Sequence, residues 1–151
     1  MKTPIQDEQD LSGIHLWLLL WKASRAVESH SARSIARFDM GISDFGVLEA
    51  LLHKGPLTVK QLGEKVLLTS GSMTAAVDRL IKRGLVTRCD DTKDRRARII
   101  QLTDVGKELI SEAFTQHRLA MERAVSGFSQ QERVELLPLL RRLGRTAEQG
   151  L

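Results

Sequence analysis

Apolar positions recur with a helical period over most of this chain and change to short alternating runs in one stretch. From Asp10 to about Phe38 there is no proline, and the spacing predicts a long helix. Within it, Leu16 to Trp21 is a six-residue apolar run, which makes that end of the helix nonpolar on every side. Gly41 breaks the pattern, and Ser43 is expected to cap a helix carrying Phe45, Val47, Leu48, Leu51 and Leu52. That helix should stop at Gly55-Pro56. Thr58 and Gln61 have the spacing of a capping box at the start of a short helix that runs to about Val66. Leu67 and Leu68 leave that helix, and the hydroxyls of Thr69-Ser70-Gly71-Ser72 are placed to cap the next one. Its apolar positions Met73, Val77, Leu80 and Ile81 face one side, and Gly84 should end it in a left-handed conformation.

Leu85 to Cys89 and Ala97 to Leu102 then read as two strands joined by a charged tip over residues 90–96. Thr103 is expected to cap a helix running to about Val125, roughly 30 Å long at the usual rise per residue. A second capping box at Ser129 and Glu132 opens a last helix, with Pro138 as a kink or local break and Gly144 as its stop. Helix, turn, helix and two-stranded wing is the winged helix-turn-helix order. The predicted fold is therefore mainly α, a single domain over 1–151. Residues 43–102 form the winged unit, and 10–38 with 103–144 supply long flanking helices suited to pairing with a second copy.

The outer side of the helix after Ser70 carries Ser70, Gly71, Thr74, Ala75, Asp78, Arg79 and Lys82, small at its N-terminal end and basic further on. A helix whose first turns approach base edges in a major groove needs that distribution, since bulky side chains there would hold the backbone away. Charge supports the same face. Ten of the 23 Lys and Arg but only five of the 19 Asp and Glu lie between Thr58 and Thr103, leaving 13 bases and 14 acids elsewhere. A basic unit in an otherwise near-neutral chain points to a polyanion, and a solvated basic surface is the plain alternative.

The motifs Ser70-Gly71-Ser72-Met73-Thr74, Asp78-Arg79-Leu80, Lys82-Arg83-Gly84-Leu85-Val86, Asp94-Arg95-Arg96 and Leu102-Thr103 with Gly106 resemble the MarR family of bacterial transcription regulators. The likeness covers roughly the whole chain. It implies a homodimer on double-stranded DNA at a pseudo-palindromic operator, usually a repressor released by a small ligand or by oxidation. On this reading Ser70, Gly71, Ser72, Thr74, Ala75 and Arg79 are the DNA-reading candidates of the helix. Arg88 is a phosphate contact, and Arg95 and Arg96 belong to the wing tip, with Arg96 entering a minor groove and Asp94 holding its fork. Asp78 is read as structural, with its neighbour Arg79, about 100° round the helix, and a wing arginine such as Arg98 as equal candidates for its partner.

The effector pocket that the resemblance implies, for an aromatic or phenolic acid between the dimer helices and the reading unit, draws on His15, Trp17, Trp21, Arg25, Phe45 and His53. Core or dimer packing is the plainer reading of the two tryptophans. The single cysteine, Cys89, excludes an intrachain disulfide and a multi-cysteine zinc site. It leaves one alternative, a thiol-based redox regulator, beside another, an architectural DNA protein without effector control. His15, His30, His53 and His117 lack metal-motif spacing, and no nucleophile and base or phosphate-cradling loop is present, so no enzyme, metal or cofactor is expected. No apolar run approaches the ~20 residues of a membrane span. Residues 1–9 carry no secretory pattern, making a cytoplasmic address the expectation.

Overall fold

A computed structural model describes residues 10–66 and 70–151. Residues 1–9, read above for a leader, and 67–69, including the hydroxyl of Thr69, lie outside the described residues. The elements run α1 (Gly13–Ala36), α2 (Ile42–Lys54), β1 (Leu57–Thr58), α3 (Val59–Lys65), α4 (Ser70–Lys82), β2 (Val86–Asp90), β3 (Arg98–Leu102), α5 (Asp104–Ala124) and α6 (Gln130–Gln149). This is the predicted mainly α winged helix-turn-helix with long flanking helices.

The predicted caps set most of the boundaries. Thr58 Oγ1 accepts from the Gln61 amide at 3.1 Å while Gln61 Oε1 accepts from the Thr58 amide at 2.9 Å. Ser129 and Glu132 do the same for α6. Gly55 and Gly84 both have a positive φ, at 75° and 70°. At the end of α4 the Leu85 amide reaches the Leu80 carbonyl and the Gly84 amide that of Ile81, the paired bonds of a Schellman turn.

Three local expectations are corrected. The N-cap of α2 is Gly41, without a side-chain cap bond, and not Ser43. Asp44 falls in the first turn, where a carboxylate is favoured by the free amides. Gly144 does not end α6, which continues to Gln149 around Pro138. Gly144 has no positive φ, and with Arg145, Ala147 and Glu148 following, one interior glycine costs only about 1 kcal/mol. The wing sheet has three strands, in the order β1-β3-β2, with Leu57 opposite Ile100 and Thr58 opposite Ile99. Two residues, the second of them the N-cap Thr58, carry no alternation from which a strand could be read.

The core lies under the winged unit. Val47 and Leu48 of α2, Leu62 of α3, Val77 and Leu80 of α4, Ile100 of β3 and Ile110 of α5 are fully buried there. Full burial of a side chain of this size contributes about 1.5–3 kcal/mol, so this cluster holds the reading unit together. By contrast α1 buries only Ser34 and Ile35, near its C-terminal end, and α6 buries nothing.

Candidate nucleic-acid interface

The reading helix is held from behind by its own apolar stripe. Met73, Ala76, Val77 and Leu80 are buried, while Gly71, Ser72, Thr74, Ala75, Asp78 and Arg79 face solvent. Ser70 opens the helix. The predicted polar face of α4 is thus outward, small at its start.

The joint between reading helix, wing and α5 is unusually close. Thr103 Oγ1 accepts from the Gly106 amide at 3.0 Å, capping α5, and donates to the Gly84 carbonyl at 2.7 Å. The Thr103 amide reaches the Leu85 carbonyl at 3.0 Å. One threonine therefore ties the stop of α4 to the start of α5.

At the wing, Arg98 pairs with Asp90 directly across the ladder. Two aspartates fold the tip. Asp91 accepts from the Lys93 amide and Asp94 from the Arg96 amide, each at 3.0 Å, while the Ala97 amide donates to the Asp94 carbonyl. Asp94 thus positions Arg96 through its backbone and not, as expected, through its guanidinium. Arg95 and Arg96 are exposed, and neither guanidinium has a partner among the described residues. Two such cations on a rigid turn suit a narrow, negative groove.

Two other arginines expected at DNA are already paired. Arg88 Nη2 donates to Asp78 at 2.9 Å, tying β2 to α4. The structural role expected for Asp78 has a wing partner, but it is Arg88 and not Arg98, whose cross-strand neighbour Asp90 is nearer. Arg79 donates to the buried Asp44 on α2, from Nη2 at 2.7 Å and Nε at 3.2 Å. The Asp44 carboxylate holds the Arg79 proton more firmly than usual, by hydrogen bond and by charge. Asp44 was missed in the sequence because nothing local links residues 35 apart. Arg83, also unassigned there, donates from Nη1 to the Asp39 carbonyl at 2.7 Å. It steadies the turn between α1 and α2, where Asp39 itself is left-handed at φ 52°.

The six residues named for a ligand fall into separate groups. Trp17 and Trp21 stack on α1 with ring centroids 6.4 Å apart, and Arg25 lies over Trp21 at 5.4 Å. Their face is exposed. His15 donates from Nδ1 to the Asp10 carbonyl. Phe45 is buried and tilts against His117 at 4.8 Å, and His53 meets the edge of Phe114 at 4.7 Å. No ring contact among the described residues joins the tryptophans to Phe45 or His53. A shallow polar groove along α5 passes Asp104, Glu108 and Glu112, and none of the six lines it.

His117 sits where three helices meet. Its Nδ1 is 3.0 Å from Ser34 Oγ, whose single proton goes to the Ser31 carbonyl at 2.8 Å, so the imidazole carries its proton on Nδ1 and donates. Burial lowers its pKa, opposed by the charge of Glu49. Cys89 is an exposed free thiol on β2, with Sγ 3.7 Å from the Ile99 carbonyl. No helix among the described residues is long and apolar enough to cross a membrane, and they contain no group of three His, Cys, Asp or Glu placed to hold a metal ion.

Comparison with known proteins agrees with the geometry. A sequence profile of the MarR family matches residues 38–97. The chain is 33% identical over 144 residues to the uncharacterized HTH-type transcriptional regulator YkoM of Bacillus subtilis, covering 95% of this chain and 94% of YkoM. Among solved structures it superposes on a mutant of E. coli MarR complexed with operator DNA with a TM-score of 0.79, at 20% identity over 86% of this chain and 94% of that one. It superposes on Bordetella bronchiseptica BpsR, whose DNA binding is regulated by 6-hydroxynicotinic acid, with a TM-score of 0.77, at 23% identity over 86% and 98% of the two chains. The chain belongs to the MarR family of winged helix-turn-helix transcription regulators, which bind DNA and are not enzymes.

Proposed function

We propose that this protein is a homodimeric repressor. Its two α4 helices read successive major grooves of a pseudo-palindromic operator, and its two wings place Arg96 in the flanking minor grooves. The observation that carries the reading is the uncovered apolar surface on the flanking helices. Leu16, Trp17, Leu19 and Trp21 of α1 and Val134, Leu137 and Leu139 of α6 are each about half exposed or more, while among the described residues of the winged unit no large apolar side chain is exposed. Apolar surface left open on both flanking helices marks an interface, and a second copy offers the same stripes in return. Two readers held on one rigid frame then fit half-sites one helical turn apart.

An aromatic acid is the effector class that suits the Trp17, Trp21 and Arg25 cluster, a stacked pair with a cation at its edge. Regulation of BpsR by an aromatic acid supports that class. Such a ligand releases DNA only through its preference for the dimer spacing that does not fit the operator, and a hundredfold preference is about 2.7 kcal/mol.

Selection of duplexes from a random pool, footprinting of the winner and sedimentation of the free protein test the proposal together. A dimer protecting two half-sites is expected. A monomer, or binding indifferent to sequence, overturns it.

A further inference from the structure

We propose that Asp44 is a positioning residue for DNA reading: it grips one edge of Arg79 so that the other edge is presented to a backbone phosphate beside α4. The inference rests on the α4 reading face proposed above. Asp44 is one of two buried polar or charged side chains among the described residues, 6% exposed, and it stands in the first turn of the support helix α2. Its carboxylate takes Nε and Nη2 of Arg79, which uses one side of a planar fork. Nη1 has no partner among the described residues, and the Arg79 side chain stays 53% exposed despite the ion pair. Along the same helix face, Ala75 and Lys82 are also exposed, so the open edge of the guanidinium lies on the outward side of α4.

An arginine serving only as an internal tie would lose little by being covered on both edges. One fixed from behind by a buried carboxylate and open in front has its orientation set before any ligand arrives. Three N–H groups remain, two of them on Nη1, and a phosphate oxygen is the acceptor that fits that edge. Since Asp44 offsets much of the positive charge, the gain is in placement more than in long-range attraction. Holding the fork in place also reduces the entropy lost on binding.

The test uses the duplex that the wild-type protein selects, made with single neutral methylphosphonates scanned along each strand. Wild type should lose about tenfold in affinity at one phosphate per half-site. Arg79→Ala and Asp44→Asn should each bind the unmodified duplex about tenfold more weakly and no longer respond to that substitution. The double variant should be no weaker than Arg79→Ala alone. If Arg79→Ala does not fold, Arg79→Gln, which keeps the stem and one donor for Asp44, replaces it. Variants that melt earlier yet keep the wild-type phosphate response would make the pair a structural tie and overturn the proposal. Tighter binding by Asp44→Asn would do so too, since the carboxylate would then only repel. Failure of the wild-type protein to select any duplex would instead sink the underlying reading of the α4 face.

Discussion

Gly106, in the first turn of α5, lies so close to the carbonyl of Leu85 that a Cβ built on it would stand 1.9 Å from that oxygen. The obstacle is main chain, and it cannot turn aside as a side chain would. The Leu85 carbonyl also accepts the Thr103 amide, so moving it breaks the joint between reading helix, wing and α5. Gly106→Ala should therefore destabilise the fold by about 1–3 kcal/mol or more, the usual range for forced overpacking. Urea unfolding at neutral pH measures this, and an unchanged midpoint would contradict the close approach.

Arg96 stands on a turn pinned by Asp94, with its guanidinium free. Arg96→Ala should weaken binding to the selected duplex tenfold or more, as expected for loss of about 1–3 kcal/mol at one groove contact. The folded state should be unaffected, because no internal contact is lost. Affinity measured at one fixed salt concentration decides it, and equal binding would remove the wing from the interface.

Trp21 lies on the uncovered face of α1, one turn before Arg25. Trp21→Glu puts a carboxylate at i to an arginine at i+4, which suits an isolated helix but not an apolar interface. The variant should fold, sediment as a monomer at micromolar concentration and lose operator binding in parallel. A variant that remains dimeric would assign the interface elsewhere.

His117 is held neutral by burial against Phe45 and Ser34, with Glu49 acting in the opposite direction. Its folded pKa lies below that of the unfolded chain, near 6.5 for a free imidazole. The unfolded chain therefore takes up this proton first. The contribution is complete above about pH 6.5 and is lost as pH falls through the lowered folded value. Asp10 and Glu132, lowered chiefly by hydrogen bonds from Ser12 and Ser129, follow the carboxylate rule and lose their contributions only in more acid solution. In thermal melts between about pH 7.5 and 5.5, His117→Phe should shrink the fall in Tm, while Ser34 keeps its bond to Ser31. The same slope in both proteins would place the titration at another group.

The helices, their caps and their apolar stripes were legible in the residues themselves. Capping boxes at Thr58 and Ser129, the stops at Gly55 and Gly84, and the buried side of α4 all depend on residues within about four positions of one another, the range over which helix geometry acts. The two misread helix ends came from the same short range. Ser43 looked like a cap and Gly144 like a stop, but only the backbone conformation reveals which residue stands outside a helix.

Tertiary packing decided what the polar residues do. Arg79 and Arg88 look like free DNA contacts in the sequence, and the fold gives each a carboxylate, from 35 and 10 positions away. The six aromatic and basic residues suggested for one pocket are divided between the open face of α1 and the seam of α2 with α5. Leu57-Thr58 becomes a strand because β3 lies beside it, and Gly106 matters because Leu85 is brought against it. Hydrophobic periodicity dictates which face of an element is buried. Which charged groups then meet depends on the angles at which those faces pack, and these are set by the assembled core and not by any one segment.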